Sequence, residues 1–501
     1  MQRRLFHFLE NNFMRFFRLL SHVIPSSWVV PLGRTVGLLL CTLAAPLKRR
    51  VTAQLRETFP EKSPREIRRL FRQVARNGGE VIFEQLMVSR KLILDNHEKT
   101  EGFEDLERMY RELSSRGRGL LVVASHLSNW EKLMGIEAHH LLQKKNVQVN
   151  VVMNRMPTSY LDGLATVLRH KVLKCNFIYT KRARYYIEKI LAEKGLVAFA
   201  TDVDYRYRGL FVPFMGRKIS MGRGPATYAL KHGAPLVFNM FYRDEKGTPH
   251  ILLEEIRPVR TGDMERDVYN LTAEIASRIE RWVRKYPDQW FGWLQQPWKT
   301  RSLEDLQGQL ETDPRNARLL EEIGLFHLAK EEREKARESF REAIVVDPGA
   351  FRAHSELGCI LSRDGDSDAG LFHLFRALEI HPKDVKTLKY LGHCFLERKL
   401  YGTALRYFRL AARVKYDDPE AYWGAGQCLE ALGRSGKAAA AYRKGLRIDD
   451  DYAPLHRALV RFHADGKGSG KELRRHLFAL ETLGARAGSE GQVRRFTRPA
   501  A

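Results

Sequence analysis

Gly324, Gly358, Gly392 and Gly426 stand 34 residues apart, and the register around them repeats as well. Twelve positions after each glycine comes a small residue (Ala336, Gly370, Ala404, Ala438), and four further on a large apolar one (Phe340, Leu374, Phe408, Tyr442). Ala343, Ala377, Ala411 and Gly445 complete the set, and Asp347-Pro348 and His381-Pro382 close two of the units. A period of this length leaves little choice of architecture. Each unit is a pair of antiparallel helices that cannot bury its own apolar face, so the units must stack. The small residues allow the helices to approach closely, and the large one fills the seam.

The preceding 250 residues follow a different rule. Leu120–Ala124, Val149–Met153, Leu196–Ala200 and Pro235–Phe241 are short apolar runs bounded by turn residues or charged helical segments. Strands alternating with helices predict an α/β domain with its chemistry at strand ends. One such end carries Ser125-His126-Leu127-Ser128-Asn129-Trp130-Glu131. It sets a histidine at the end of a strand and a carboxylate five positions later, in the first turn of a helix. An imidazole so placed can take the proton from a hydroxyl while the carboxylate holds its tautomer and stabilises the imidazolium. We therefore expect His126 to be the general base and Glu131 its orienting partner, with Asn129 and Trp130 shaping the turn.

Charge is concentrated in the same half. Residues 1–300 carry 50 Lys and Arg against 30 Asp and Glu, and residues 301–501 carry 35 against 30, within a net charge of +25. Such a surface suits anionic lipid headgroups, phosphorylated substrates, an acidic carrier protein or nucleic acid. No aromatic-basic RNA motif, zinc finger or recognition-helix pattern accompanies it, so nucleic acid is not expected. The five cysteines (Cys41, Cys175, Cys359, Cys394, Cys428) form no C-x-x-C pair, which argues for a reducing compartment and against a disulfide framework.

The N-terminus interleaves Phe6, Phe8, Phe13, Phe16 and Phe17 with Arg3, Arg4, Arg15 and Arg18, a pattern that fits a helix lying on a membrane surface. Trp28–Leu47 has about the length of a membrane span, although Pro31, Gly33, Arg34, Gly37 and Pro46 interrupt it. It ends at Lys48-Arg49-Arg50, which would leave the next domain cytoplasmic if the segment crosses. A hairpin of core helices is the other reading.

Taken together, the blocks of the first half resemble the late acyltransferases of lipid A biosynthesis, the lauroyl/myristoyl transferase family. The resemblance rests on His126 with Glu131, on Asn154-Arg155-Met156-Pro157, on Phe199-Ala200-Thr201-Asp202-Val203-Asp204, on Phe211–Arg217, and on Tyr286–Trp293 with Trp298-Lys299. It covers roughly residues 5–300. Leu294-Gln295-Gln296-Pro297 departs from the basic pair that many relatives carry before the last tryptophan, which bears on the acceptor. The 34-residue units similarly resemble tetratricopeptide (TPR) repeats, four of them over about 317–450.

These resemblances imply an α/β acyltransferase domain, a mixed central sheet with flanking helices like that of the glycerolphosphate acyltransferases, joined to an all-α TPR solenoid. The expected division is a membrane-associating segment at 1–50, the enzyme at 51–305, the repeats at 313–463, and a basic helix and tail at 464–501. The expected reaction is acyl transfer from a carrier thioester to a hydroxyl of a lipid A precursor or related glycolipid, at the cytoplasmic face of a bacterial inner membrane. Another glycolipid or an aminolipid acceptor, or a scaffold with an inactive enzyme half, are the alternatives. The substrate-binding set comprises Asn129, Arg155, Asp202, Asp204, Gly216 and Arg217. Arg155 suits a phosphate on acceptor or donor, and Asp202 and Asp204 share one face of an extended strand, reaching the site or pairing with an arginine. No cofactor and no metal are expected. The partners are acyl carrier protein, an anionic lipid or glycolipid, the membrane, and a protein bound by the repeats.

Overall fold

The computed structural model describes residues 25–86, 99–153, 174–295, 300–467 and 469–483. The chain divides into two compact units at Ser302 and Leu303.

In the first unit, helix α1 (Ser26–Leu43) turns by 95° into α2 (Ala45–Thr58), and α3 (Pro64–Leu86) packs back on α1. The crossing is close because no side chains intervene. A Cβ on Gly37 would lie 2.5 Å from the Gly79 Cα and the Ala75 carbonyl oxygen. No single helix among the described residues is long and apolar enough to cross a membrane, although α1 and α2 pass that test together as a bent pair.

Helix α4 (Phe103–Ser114) leads to β1 (Leu120–Ala124), α5 (Trp130–Lys145), β2 (Val149–Met153), β3 (Asn176–Tyr179), α6 (Ala183–Ala192) and β4 (Leu196–Ala200). The hairpin β5 (Leu210–Phe214) and β6 (Arg217–Met221), helix α7 (Gly224–His232), β7 (Leu236–Arg243), β8 (Pro249–Ile256) and α8 (Met264–Lys285) follow. The sheet order is β3-β2-β4-β1-β7-β8, parallel except for β8. The expected mixed sheet with flanking helices is therefore present, and the four apolar runs are four of its strands.

The central strands are buried on both faces, as the continuous apolar run Leu120–Ala124 requires. Leu121, Val123, Val197 and Phe199 belong to one core with α3, α7 and α8, while Leu120, Val122, Leu196 and Ala198 face a second core under α5. Helix α5 starts where the Asn129 side chain accepts a hydrogen bond from Lys132 N, and it stops at Asn146, whose φ of 55° is left-handed.

The second unit begins with a helix at Leu303–Thr312, whose Leu306 packs on Leu319 and Ile323. Four hairpins follow: Ala317–Val346, Phe351–Ile380, Val385–Val414 and Pro419–Ile448, each a pair of helices. A Cβ on Gly324, Gly392 or Gly426 would lie 2.6, 2.8 or 2.1 Å from the ring of Phe340, Phe408 or Tyr442. The periodic glycine thus seats the periodic large side chain. Beyond the fourth hairpin, Ala453–Phe462 and Gly470–Thr482 pack through Val460, Leu473 and Leu480 and close the array.

Candidate active site

Strands β1 and β4 pair in parallel with Ala124 beside Ala200. Both chains run on for two residues, which brings His126 next to Asp202. The Asp202 carboxylate lies 2.6 Å from His126 Nδ1, accepts the His126 backbone N–H at 2.9 and 3.1 Å, and accepts Trp290 Nε1–H at 2.8 Å. It is 1% exposed. Burial alone would raise its pKa, but the His126 charge and these hydrogen bonds hold it below the usual carboxylate range. An ionised carboxylate only accepts, so His126 Nδ1 carries the proton, and in the neutral imidazole it is Nε2 that holds the lone pair. Burial pushes the imidazole pKa down. The Asp202 charge and hydrogen bond, with a smaller contribution from Glu131, more than reverse this.

The carboxylate that meets His126 Nδ1 is that of Asp202. The cause is topological: the pairing of β1 with β4 places Asp202 at Nδ1 from 76 residues away in sequence, while Glu131 stands on the first turn of α5. Glu131 lines the same cavity as His126 and adds negative potential there.

The His126 turn is held from beneath. The His126 carbonyl accepts from Phe291 N at 2.9 Å and Ser128 N donates to the Gln289 carbonyl at 2.8 Å, so the aromatic block after α8 is stitched to the turn. Trp130 meets the His126 ring edge-on at 4.4 Å and packs on Phe291. Ser128 sits at φ 55°, a strained value for a serine.

Asn129 is bonded to groups of the protein itself. It is fully buried, caps α5 with its carbonyl, and donates through Nδ2 to Glu84 at 2.7 Å. Glu84 also takes Lys132 Nζ at 2.6 Å, and the Lys132 and Arg243 charges overcome burial to keep its carboxyl ionised. One turn earlier on α3, buried Glu80 receives Arg34 and Arg243. Neither glutamate was expected from sequence. Their spacing of four places both on one helix face, and that is the signal that could have found them.

The other expected ligands disperse. Asp204 accepts Arg206 N at 2.7 Å and Thr300 Oγ1–H at 2.8 Å, which ties down the chain after the aromatic block. Gly216 forms the β5–β6 turn with Met215, at φ 74° and 54°. Arg217 pairs with Glu57 of α2, and neither Gly216 nor Arg217 lines the cavity at His126. Arg155 lies outside the described residues.

That cavity measures about 400 Å³ and runs over the sheet face beneath α5. Val122, Val151, Ala198, Phe177 and Phe241 give it an apolar wall that reaches His126, Trp130 and Glu131. A base with its lone pair at one end of a greasy groove is equipped to deprotonate a hydroxyl beside a fatty acyl chain. Among the described residues the only cluster with metal-ligand spacing is Asp449-Asp450-Asp451, in the other unit.

Residues 3–300 match the family model of the bacterial lipid A biosynthesis acyltransferases, and residues 391–453 match that of the tetratricopeptide repeat. The first match spans more than half of the chain, which belongs to that acyltransferase family and carries C-terminal TPR repeats. The chain is 30% identical to anaphase-promoting complex subunit 3 of Schizosaccharomyces pombe over 133 residues, 26% of this chain and 20% of that one. It is 29% identical to superkiller complex protein 3 of Mus musculus over 99 residues, 20% and 6% of the two chains. It thus spans a fifth or less of these curated relatives. Among solved structures, a MamA protein matches with a TM-score of 0.27 and 20% identity, over 30% of this chain and 82% of that one. Pseudomonas aeruginosa pilF matches at 0.32 and 16%, over 35% and 78%.

Proposed function

We propose that this member of the lipid A biosynthesis acyltransferases moves a fatty acyl chain from an acyl carrier protein thioester to a hydroxyl of a lipid A precursor. The observation that carries the reading is His126, oriented through Nδ1 by buried Asp202, at the end of an apolar cavity. His126 Nε2 takes the proton of the acceptor hydroxyl as its oxygen attacks the thioester carbonyl. Asp202 stabilises the imidazolium, and the proton passes to the departing thiolate as the tetrahedral intermediate collapses. Glu131, lining the cavity, adds to the field that favours the charged imidazole. The acyl chain occupies the apolar groove.

Exposure, charge and the repeats carry three further parts of the reading. Trp28, Leu39, Leu40 and Leu43 on α1 are each more than half exposed, and exposed Lys48 and Arg49 follow on α2. Apolar side chains beside a basic run favour an anionic membrane surface, so we assign this bent pair to membrane docking at the cytoplasmic face of the inner membrane. The basic enzyme half suits the approach of an acidic carrier protein. The repeats are assigned to binding a protein partner through their concave face.

The test is acyl transfer by the purified full chain and its His126→Ala variant, with acyl carrier thioesters and a tetraacylated lipid A precursor. Transfer that falls by orders of magnitude in the variant supports the reading. A lipid A with its full acyl set in a deletion strain overturns the acceptor and turns the search to another glycolipid or aminolipid. Full rescue of that strain by His126→Ala, but not by a chain lacking residues 317–450, makes the repeats the working part.

A further inference from the structure

One polar pair in the cavity wall has no part in the proton transfer just described. Glu137 lies seven residues after Trp130, hence two turns further along the same face of α5. Its carboxylate accepts Asn239 Nδ2–H at 2.7 Å. The two side chains are 6% and 2% exposed, and both line the cavity that reaches His126. Asn239 Oδ1 is buried and has no hydrogen-bond partner among the described residues.

A groove built only for a hydrocarbon chain gains nothing from this pair. β7 flanks Asn239 with Leu236-Val237-Phe238 on one side and Met240-Phe241 on the other, and an unpaired amide oxygen in such surroundings costs about 1–3 kcal/mol. Burial also pushes the Glu137 carboxyl up to about 7, only partly offset by the Asn239 bond, so a protonated, hydrogen-bond-donating form is accessible at neutral pH. The position is informative too. Val122 pairs with Val237 and Val123 with Phe238, so Asn239 stands beside Ala124, two residues below His126. That is about 7 Å along the strand, within reach of the first carbons beyond the carbonyl under attack.

We propose that Glu137 and Asn239 form a subsite that selects acyl chains bearing a hydroxyl near the carbonyl end. The hydroxyl donates to Asn239 Oδ1 and accepts from Glu137. This rests on the acyl-transfer reading above.

The experiment compares kcat/KM of the purified full chain for tetradecanoyl, 2-hydroxytetradecanoyl and 3-hydroxytetradecanoyl thioesters of acyl carrier protein, with the tetraacylated precursor as acceptor. The wild type is expected to favour one hydroxyacyl chain by at least about tenfold. Asn239→Leu and Glu137→Met, checked for folding by near-UV circular dichroism, should each bring the ratio to one or below. Equal efficiency for the three thioesters in the wild type, or a ratio unmoved in both folded variants, overturns the subsite while leaving the acyl-transfer reading intact. Transfer of none of them removes that reading and the subsite with it.

Discussion

Asp202→Asn separates the two carboxylates near His126. In the wild type, the histidine that takes a proton during transfer becomes an imidazolium 2.6 Å from a buried carboxylate. With charge centres about 4 Å apart and an effective dielectric of about 20, that attraction is about 4 kcal/mol. At 1.36 kcal/mol per decade its loss lowers kcat about 10³-fold. The amide also presents an N–H₂ where the carboxylate accepted from His126 and Trp290, which permits the other His126 tautomer and lowers fold stability by about 1–3 kcal/mol. The assay is single-turnover acyl transfer at a temperature where both proteins are folded, with the His126 tautomer followed by ¹⁵N chemical shifts. Asp202→Asn should lose the Nδ1–H tautomer and the rate together, whereas Glu131→Gln should keep that tautomer. A rate within tenfold of wild type in Asp202→Asn, or loss of the tautomer in Glu131→Gln, would refute the assignment.

Further outcomes follow from the packing. Asn129→Ala removes a helix cap and one partner of buried Glu84; thermal unfolding should show a loss of about 2 kcal/mol, with KM for the acceptor unchanged. Gly426→Val drives a side chain into the Tyr442 ring and should make the repeats protease-sensitive, at a cost of about 1–3 kcal/mol; a wild-type digestion pattern would contradict it. His476 shares a 2.9 Å Nδ1–Nδ1 hydrogen bond with His456, which donates through Nε2 to the Asp450 carbonyl. Burial first, then His456, His463, Arg475 and Arg443, hold the His476 pKa down to about 3. Its folded pKa is depressed, so the stability is complete above about pH 6.5 and declines by up to about 1.4 kcal/mol per unit below it, as the unfolded chain alone takes up the proton. Denaturant unfolding at pH 7 and pH 5 should show a larger acid loss in wild type than in His476→Phe. Replacing Leu39, Leu40 and Leu43 by serine should weaken binding to anionic vesicles at least tenfold, read by co-sedimentation.

The elements legible in the sequence were those specified by local periodicity. Leu120–Ala124 and Leu196–Ala200 were readable because strands buried on both faces carry unbroken apolar runs, and Val149–Met153 because Asn150 alone interrupts its run. The repeat hairpins were readable because Gly392 and Phe408, or Gly426 and Tyr442, must meet in every unit. β8 escaped notice: Glu254 and Glu255 sit in it, paired with Arg278 and Arg116 from other elements. The active-site carboxylate was half legible. Asp202 and Asp204 were both singled out, and which one meets His126 depends on the register of β1 against β4, a long-range fact. Asn129, an asparagine directly ahead of the helix, carried a readable helix-start signal, and it caps α5 within the turn it was expected to shape.

The partnership of His126 and Asp202 across two parallel strands bears on how relatives of this chain are to be judged. On the proposed mechanism, a homologue can keep the whole Ser-His-Leu-Ser-Asn-Trp-Glu string and still be a dead enzyme, if a one-residue deletion in the strand that ends at Ala200 withdraws the aspartate. Pseudoenzymes of this kind would pass any test based on the histidine run alone. The diagnostic lies in the spacing between two distant strand ends, and whole sheets, more than single strings, are the units on which such activity is inherited or lost.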